Sequence, residues 1–224
     1  SIFSITFKLI KGNIFYHSFH IPEGSVVKDF LNESELKAFC KFKGLDNCNL
    51  EGFFHPNTYL YEKNDDLNIL LNKAFNKQIE IASSNLNIAN KELPIKNIKQ
   101  LLILASILEK ESCDEERPKI SGVIYNRLNK NMRLQIDSTV IYGIKNFNGN
   151  LTKKDLKKNT PFNTYTNHGL PPSPISLPSL SSIISAAHPA KHDYLFFVSK
   201  GPCQHEFSES YDQHLEAVKK YQLN

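Results

Sequence analysis

A run of apolar residues near the middle of the chain places the strongest constraint on its fold. Between residues 98 and 112 the apolar side chains recur every three or four positions, at Leu101, Leu104, Ile107 and Leu108. That spacing puts side chains on one face of a helix. We therefore predict a core helix of about four turns. Its last turn carries the sequence Glu109-Lys110-Glu111.

The other patterns predict a mixture of helices and a few strands. A β-hairpin is predicted from residues 2–9 and Ile14–Ile21 around a Lys11-Gly12-Asn13 turn, followed by two short helices closed by Gly44. Asp114 is expected to cap a helix with Pro118 in its first turn, and Thr152 to open another in a capping box. Further helices are predicted at 67–81, 180–187 and 209–221, with a strand at 194–198 and no regular element at 49–59. The predicted fold class is α+β, with a small β/α module in residues 1–48 and a mainly helical α+β domain in 49–224.

The composition of the chain argues against some classes of function. The chain has 224 residues, of which 40% are hydrophobic, and this suits one or two compact domains. Its formal charge of +4 is spread along the sequence rather than concentrated in a basic stripe, so we expect no nucleic-acid partner. No apolar run approaches the roughly 18 residues that a membrane span needs.

The four cysteines do not have the paired spacing of a zinc site. Cys40 and Cys48 could close a small disulfide loop, but unpaired buried thiols are the favoured expectation. Whether Cys40 pairs with Cys48, or Cys113 with Cys203, is left open by the sequence. His188 and His192 have ligand-like spacing, yet Pro189 between them argues against a continuous helix. Nucleotide-binding glycine motifs and serine-hydrolase motifs are absent from the sequence. We expect no metal and no cofactor.

Glu111 is the best candidate for acid/base chemistry. On a helix it continues the row formed by Leu104, Ile107 and Leu108, whereas Glu109 follows Ala105 and Ser106. A carboxyl group at the end of an apolar row loses hydration, which raises its pKa and keeps it protonated. The alternative is a solvated helix end.

Residues downstream of Glu111 suit a carbohydrate ligand. Sugar hydroxyls take directed hydrogen bonds while sugar faces stack on aromatic rings. The candidates are Gln135, Asp137, Ser138, Tyr142, Asn163 and Tyr165. His205 is a further polar candidate facing a cleft. The alternative is that these aromatic residues fill a core and that the polar ones serve turns and helix caps.

Several motifs, in order, closely resemble the endolytic murein transglycosylase family (MltG/YceG-like). The similarity is carried by residues 104–112, 116–120, 125–128, 134–143, 163–165, 169–175, 188–191, 205–207 and His214. Upstream, Leu50-Glu51-Gly52 with residues 56–59 resembles the first catalytic motif of the family, and residues 21–24 resemble its LysM-like module. The chain departs from the family at Ile136, at Ser138 and in the shortened segment before His205.

The resemblance implies an endolytic lytic transglycosylase that cleaves the MurNAc–GlcNAc bond of nascent glycan strands and terminates their elongation. It implies Glu111 as the catalytic residue, with Glu51, Gln135, Asp137, Ser138, Tyr142, Asn163, Tyr165 and His205 around the substrate. It also implies an inner-membrane anchor, a periplasmic location and peptidoglycan synthases as partners. We expect this chain to be the soluble periplasmic part, with the anchor outside it.

Two other functions are compatible with the sequence. The first is a muramidase, in which Asp137 or Glu51 serves as base or nucleophile beside Glu111. The second is a non-catalytic peptidoglycan-binding module that relies on the LysM-like segment.

Overall fold

The computed structural model describes residues 16–223, and the first strand of the predicted hairpin lies outside them. Four strands form two antiparallel pairs, β1 (His17–Ile21) with β2 (Asn57–Tyr61) and β3 (Phe196–Gly201) with β4 (Gln204–Ser208). The helices are α1 (Glu33–Lys43), α2 (Leu67–Ile88), α3 (Ile98–Glu111), α4 (Arg117–Asn129), α5 (Asp137–Tyr142), α6 (Lys153–Lys157), α7 (Leu180–Ala187) and α8 (Tyr211–Gln222). A single 3₁₀ turn, Val27–Asp29, precedes α1. The α+β class is confirmed.

The predicted apolar helix is α3, and it is buried on all sides rather than along one face. Every residue from Leu101 to Leu108 is buried, including Ala105 and Ser106. The helix begins at Asn97, whose side chain accepts a hydrogen bond from the Gln100 backbone N–H at 2.9 Å. Helices α2, α4 and α7 pack around α3 and form the larger core with it. Within residues 16–223 no helix is long and apolar enough to cross a membrane.

A second, smaller core lies beside the first and is rich in phenylalanine. Phe39 and Phe54 are fully buried at its centre, with ring centroids 5.4 Å apart. This core includes Ile21 and Leu31 from before residue 48 and Leu71 and Leu177 from after it. The β1–β2 pairing also joins the two sides, with Ile21 opposite Asn57. Both the smaller core and one sheet therefore cross the predicted domain boundary at residue 48.

An irregular segment, residues 173–179, runs between the two cores and is buried throughout. It binds α3 through the Ser106 hydroxyl, which accepts from the Ile175 N–H at 3.0 Å. It binds the N-terminal part through two backbone hydrogen bonds, Leu177 N–H to Ser25 O at 2.8 Å and Gly24 N–H to Leu177 O at 2.9 Å. The segment thus replaces a regular strand or helix as the connection between the cores.

Several local predictions need correction. The segment 49–59 does contain regular structure, because Asn57 begins β2. Strand β4 and the short helix α5 have no counterpart among the predictions. Asp114 does not cap α4; its carboxylate pairs with Arg117 instead, although Pro118 does lie in the first turn. The predicted capping box at Thr152 is confirmed, as is the helix Leu180–Ala187.

The cysteines are paired, which corrects the expectation of free thiols. Cys40 bonds to Cys48 and Cys113 bonds to Cys203, with Cα–Cα distances of 5.8 and 5.3 Å. The first bond closes a loop after α1. The second joins positions 90 residues apart in sequence, and spacing alone could not reveal it.

Candidate active site

A cavity of about 980 Å³ lies where the N-terminal part meets the C-terminal end of α3. One wall comes from residues between Val26 and Glu51, and the opposite wall from residues between Asp137 and Phe147. Five of the predicted site residues line it: Glu51, Glu111, Asp137, Ser138 and Tyr142. A cavity of this size can hold a ligand of several sugar rings or their equivalent.

Glu111 is the last residue of α3 and reaches this cavity from the larger core. Burial raises the pKa of its carboxyl group, and the negative charge of Asp137 raises it further. The hydroxyl and backbone N–H of Ser138 oppose this rise, as does the charge of His205. The Ser138 Oγ is buried and, apart from this approach to Glu111, has no hydrogen-bond partner among the described residues. A carboxyl group in this setting keeps its proton at a higher pH than an ordinary glutamate and can act as an acid.

Asp137 is held in place by a second aromatic residue of the predicted set. The Tyr165 hydroxyl donates to Asp137 Oδ1 at 2.6 Å. Burial raises the pKa of this hydroxyl, and Asp137 and Glu111 raise it further, which places Tyr165 within electrostatic range of both carboxylates. Asp137, Ser138 and Tyr165 are therefore gathered around Glu111.

Glu51 is a second buried carboxyl group in the same cavity. Its Oε1 accepts from the Val27 backbone N–H at 3.1 Å, and its Oε2 accepts from the Tyr142 hydroxyl at 3.1 Å. Burial raises the Glu51 pKa to about 7, while these hydrogen bonds act against the rise and Asp29 adds to it. Glu51 thus connects the two walls of the cavity and titrates near neutrality.

Glu109 has a structural role. Its Oε2 accepts from the Ser179 N–H, the Ser179 hydroxyl and the Ser182 hydroxyl at 2.9, 2.6 and 2.7 Å. Its Oε1 pairs with Arg117 at 3.1 Å, and only 7–8% of either side chain is exposed. The sequence analysis preferred Glu111 because the residues before it on its helix face were expected to be the buried ones. That reason was wrong, because the residues that precede Glu109 on its face are buried to the same degree. Glu111 differs from Glu109 in facing the cavity.

His205 lies on β4 and binds Glu116, a glutamate that the sequence analysis did not single out. Its Nδ1 is 2.7 Å from Glu116 Oε2, and its backbone N–H donates to Glu116 Oε1 at 3.2 Å. The signal for Glu116 was present in the matching motif Glu116-Arg117-Pro118.

Two predicted sugar contacts are not part of the cavity wall. Gln135 is exposed, with a positive φ of 52°, and its backbone N–H donates to Thr164 O at 3.1 Å. Asn163 is fully buried, and its amide donates to the carbonyls of Asp155, Leu156 and Lys158. These bonds hold the end of α6, so the assignment of Asn163 to the substrate is corrected to a structural one.

The cavity is also lined by apolar residues and by two lysines that the sequence analysis did not predict as part of the site. Ile141, Ile144, Phe147 and Ile175 supply the apolar surface, and Lys28 and Lys110 stand at its margin. Nothing in the sequence pattern distinguished these side chains from ordinary core and surface residues. Among residues 16–223 no group of His, Cys, Asp or Glu is placed to hold a metal ion.

Comparison with known proteins places this geometry in a family. The sequence profile of the YceG-like family matches residues 1–220. An endolytic murein transglycosylase of Bacillus subtilis (strain 168) is 37% identical over 177 residues, covering 77% of this chain and 48% of the relative. One from Streptococcus pneumoniae (strain R6) is 33% identical over 158 residues, covering 67% of this chain and 28% of the relative.

A solved structure is similar to this chain in fold. The crystal structure of a yceG-like protein from Listeria monocytogenes superposes with a TM-score of 0.74 at 27% identity, over 95% of this chain and 80% of that one. The chain spans about half or less of the length of the curated relatives it matches. With the profile match over nearly its whole length, this chain belongs to the YceG-like family.

Proposed function

We propose that this chain carries the catalytic centre of an endolytic peptidoglycan lytic transglycosylase. Its substrate would be the MurNAc–GlcNAc bond within nascent glycan strands, and its product a 1,6-anhydroMurNAc end. The observation that carries the proposal is Glu111, a carboxyl group with a raised pKa that faces a cavity large enough for a glycan segment. The curated relatives named endolytic murein transglycosylase support it.

In the proposed reaction Glu111 acts twice. It first gives its proton to the glycosidic oxygen, and the bond from that oxygen to the anomeric carbon of MurNAc breaks. Its carboxylate then takes the proton from the 6-hydroxyl of the same MurNAc, whose oxygen bonds to the anomeric carbon. Glu111 ends protonated again, and no water enters the product. The raised pKa suits the first step.

A substrate-supplied nucleophile removes the need for a second free carboxylate. A hydrolase needs one to activate water or to attack the sugar itself. The other three carboxylates of the cavity already have partners, since Asp137 accepts from Tyr165, Glu51 accepts from Val27 and Tyr142, and Glu33 pairs with Lys37. This favours the transglycosylase over the muramidase.

The contacts proposed for the sugars come from both walls. Ser138, Asp137 and Tyr165 would surround the ring that reacts, and Glu51 with Tyr142 would fix the width of the cavity. Gln135 is close to Asp137 in sequence but lies at the protein surface. It would therefore contact the glycan strand only outside the cavity. His205 would act through its charge on Glu111.

The finer assignments follow the family resemblance. We propose that residues 1–48 form a LysM-like element that helps to bind glycan, and that the protein works at the periplasmic face of the inner membrane near peptidoglycan synthases. Because the smaller core crosses residue 48, deletion of this element would damage the fold. Lys28→Ala, at an exposed residue of this element that lines the cavity, is the better test and should raise KM more than it lowers kcat.

Glu111→Gln tests the proposed function directly. Gln cannot donate the proton, so we expect turnover of purified sacculi to fall by roughly 10² to 10⁴ with the fold intact. The measurement is the release of anhydro-muropeptides, followed by liquid chromatography and mass spectrometry. The matched control is Glu115→Gln, the same change at an exposed residue that does not line the cavity.

The mass of the product separates the three functions. A lytic transglycosylase leaves ends that lack the elements of water, a muramidase leaves reducing ends that retain them, and a binding module releases nothing. Undiminished anhydro-muropeptide release by Glu111→Gln would refute its role as the acid.

A further inference from the structure

The Cys113–Cys203 disulfide joins two segments that flank the Glu111 carboxyl group. Cys113 follows Glu111 by two residues, and Cys203 precedes His205 by two residues in the turn between β3 and β4. We propose that this disulfide is a positioning device for the active site, which holds the His205 imidazole in place beside Glu111. The proposal rests on the function proposed above.

The loop that carries Cys113 also contacts His205 directly. Glu116 lies three residues after Cys113, and its backbone N–H donates to Cys113 O at 3.2 Å. Its carboxylate binds both the Nδ1 and the backbone N–H of His205. The two side chains are only 11% and 18% exposed, so this pair is largely shielded from solvent. The loop thus holds β4 by one covalent bond and two hydrogen bonds.

The turn that carries Cys203 has little packing of its own. Pro202, Cys203 and Gln204 are all exposed, and the register of the β3–β4 pair shifts between Ser199 and Gly201. Cys203 has a φ of 55°, in the left-handed region that disfavours residues with a Cβ atom. Since burial does not hold this turn, its position depends on the β3–β4 pairing and on the bonds to the Cys113–Glu116 loop.

The position of His205 matters for the chemistry of Glu111. The positive charge of His205 lowers the Glu111 pKa, against the rise caused by burial and by Asp137. The titratable and charged groups around Glu111 come from several segments: Asp137 on α5, Tyr165 in the loop after α6, His205 on β4 with Glu116 paired to it, and Glu51 and Lys110, which line the same cavity. If His205 were free to move away, the Glu111 pKa would rise.

The pH dependence of kcat/KM tests the proposal, because a purely structural bond would not move it selectively. The alkaline limb reports loss of the Glu111 proton in the free enzyme. In Cys113→Ala/Cys203→Ala we expect this limb to move to higher pH by roughly half a unit to one unit. His205→Asn should produce a shift of the same sign and similar size. Combining the changes should add little, since both act on one interaction.

Reduction of the wild-type protein gives an independent reading. Dithiothreitol supplies two electrons and two protons to the S–S bond, which yields two thiols and cyclic oxidised dithiothreitol. The alkaline limb should shift on reduction and return on reoxidation. In Cys113→Ala/Cys203→Ala only the Cys40–Cys48 bond remains to be reduced, so any residual effect of dithiothreitol belongs to that bond.

Three outcomes would overturn the proposal: free thiols at Cys113 and Cys203 in non-reducing peptide mapping, an unmoved limb in the double variant, or fully additive shifts with His205→Asn. If the double alanine variant does not fold, Cys113→Ser/Cys203→Asn keeps a residue that tolerates a positive φ and is measured in its place. A wild-type protein that releases no anhydro-muropeptides at any pH would instead refute the proposed function. An active wild type with an unmoved limb refutes only this inference.

Discussion

Two glutamates two positions apart on one helix have opposite relations to their surroundings. Glu109 accepts four hydrogen bonds, one of them from Arg117, whereas Glu111 faces the cavity and has a raised pKa. A buried carboxylate with a full set of donors stabilises the fold, while one that lacks such partners is destabilising but chemically useful. The two residues should therefore respond differently to the same substitution.

Glu109→Gln should destabilise the protein without a direct effect on the chemical step. It removes one charge from a buried pair and leaves Arg117 less well compensated, at a cost of about 3 kcal/mol. Glu111→Gln should keep the free energy of unfolding or increase it. Urea unfolding of both variants, with Glu115→Gln as the exposed control, measures the difference. Equal losses at positions 109 and 111 would contradict this division of roles.

Glu51 should make the stability of the protein depend on pH. Its pKa is 4.5 in the unfolded chain and about 7 in the fold, so the folded state binds more protons between these values. Stability contributed by protonated Glu51 is complete below about pH 4.5 and is lost as the pH rises through 7. Glu51→Gln cannot ionise, and its free energy of unfolding relative to wild type should increase by roughly 2 to 3 kcal/mol between pH 5 and pH 8. Parallel pH profiles for the two proteins would argue against the burial effect.

At the scale of single residues, the sequence named side chains that the fold brings to one cavity, and their roles there stay predictions. Glu111, Asp137, Ser138 and Tyr142 were named from motifs, and all of them line the cavity together with Glu51. Asn163 belongs to the same motifs but is used internally, because its amide lies under three carbonyl groups that only the folded loop brings together. A polar residue in a matching motif can bind the substrate or form hydrogen bonds with the backbone, and the sequence alone does not separate these two roles.

At the scale of elements, the segment 173–179 depends on a glycine that faces it. Gly52 has a φ of 80°, and a Cβ atom there would lie 2.5 Å from Cβ of Pro174. Gly44 has a φ of 66°, but among the described residues a Cβ atom there would meet nothing within 4 Å. At both positions the positive φ would strain a residue that has a Cβ atom. Only at position 52 would that atom also clash with a neighbouring residue.

Gly52→Ala should therefore cost more stability than Gly44→Ala. Strain at a positive φ accounts for about 1 to 2 kcal/mol at either position. The clash with Pro174 should add about 1 to 3 kcal/mol at position 52 alone. Thermal unfolding of the two variants against wild type measures both. If Gly44→Ala were the worse, the close approach of Pro174 would not be what requires glycine at position 52.

Strands β2 and β4, which exist through pairing with another strand, were not predicted from the sequence. Helices α3, α6 and α7 follow from spacing and caps within their own residues. Strand β2 has no alternating pattern strong enough to detect, and it exists because β1 pairs with it across 36 or more residues. Strand β4 is short and polar, and it likewise depends on its pairing with β3. The α+β class was nevertheless evident from the local patterns.

At the scale of the whole molecule, two cores and two disulfides hold the cavity between them. The Cys113–Cys203 bond spans 90 residues and the Cys40–Cys48 bond spans eight. A longer loop loses more chain entropy in the unfolded state when it is closed. Removal of the first pair should therefore cost about 4 to 5 kcal/mol and removal of the second about 2 to 3 kcal/mol. Urea unfolding of the two double alanine variants tests the order, and a larger loss at Cys40–Cys48 would contradict it.

The cavity that the two cores share has a consequence for when the protein can act. The raised pKa of Glu111 comes mainly from its burial by walls that are supplied by residues as far apart in sequence as Val27 and Ile175. In an incompletely folded chain the same glutamate is an ordinary one, ionised at neutral pH and unable to donate a proton. On the proposed function, the chain would therefore gain its acid only once the segments that line the cavity have packed together.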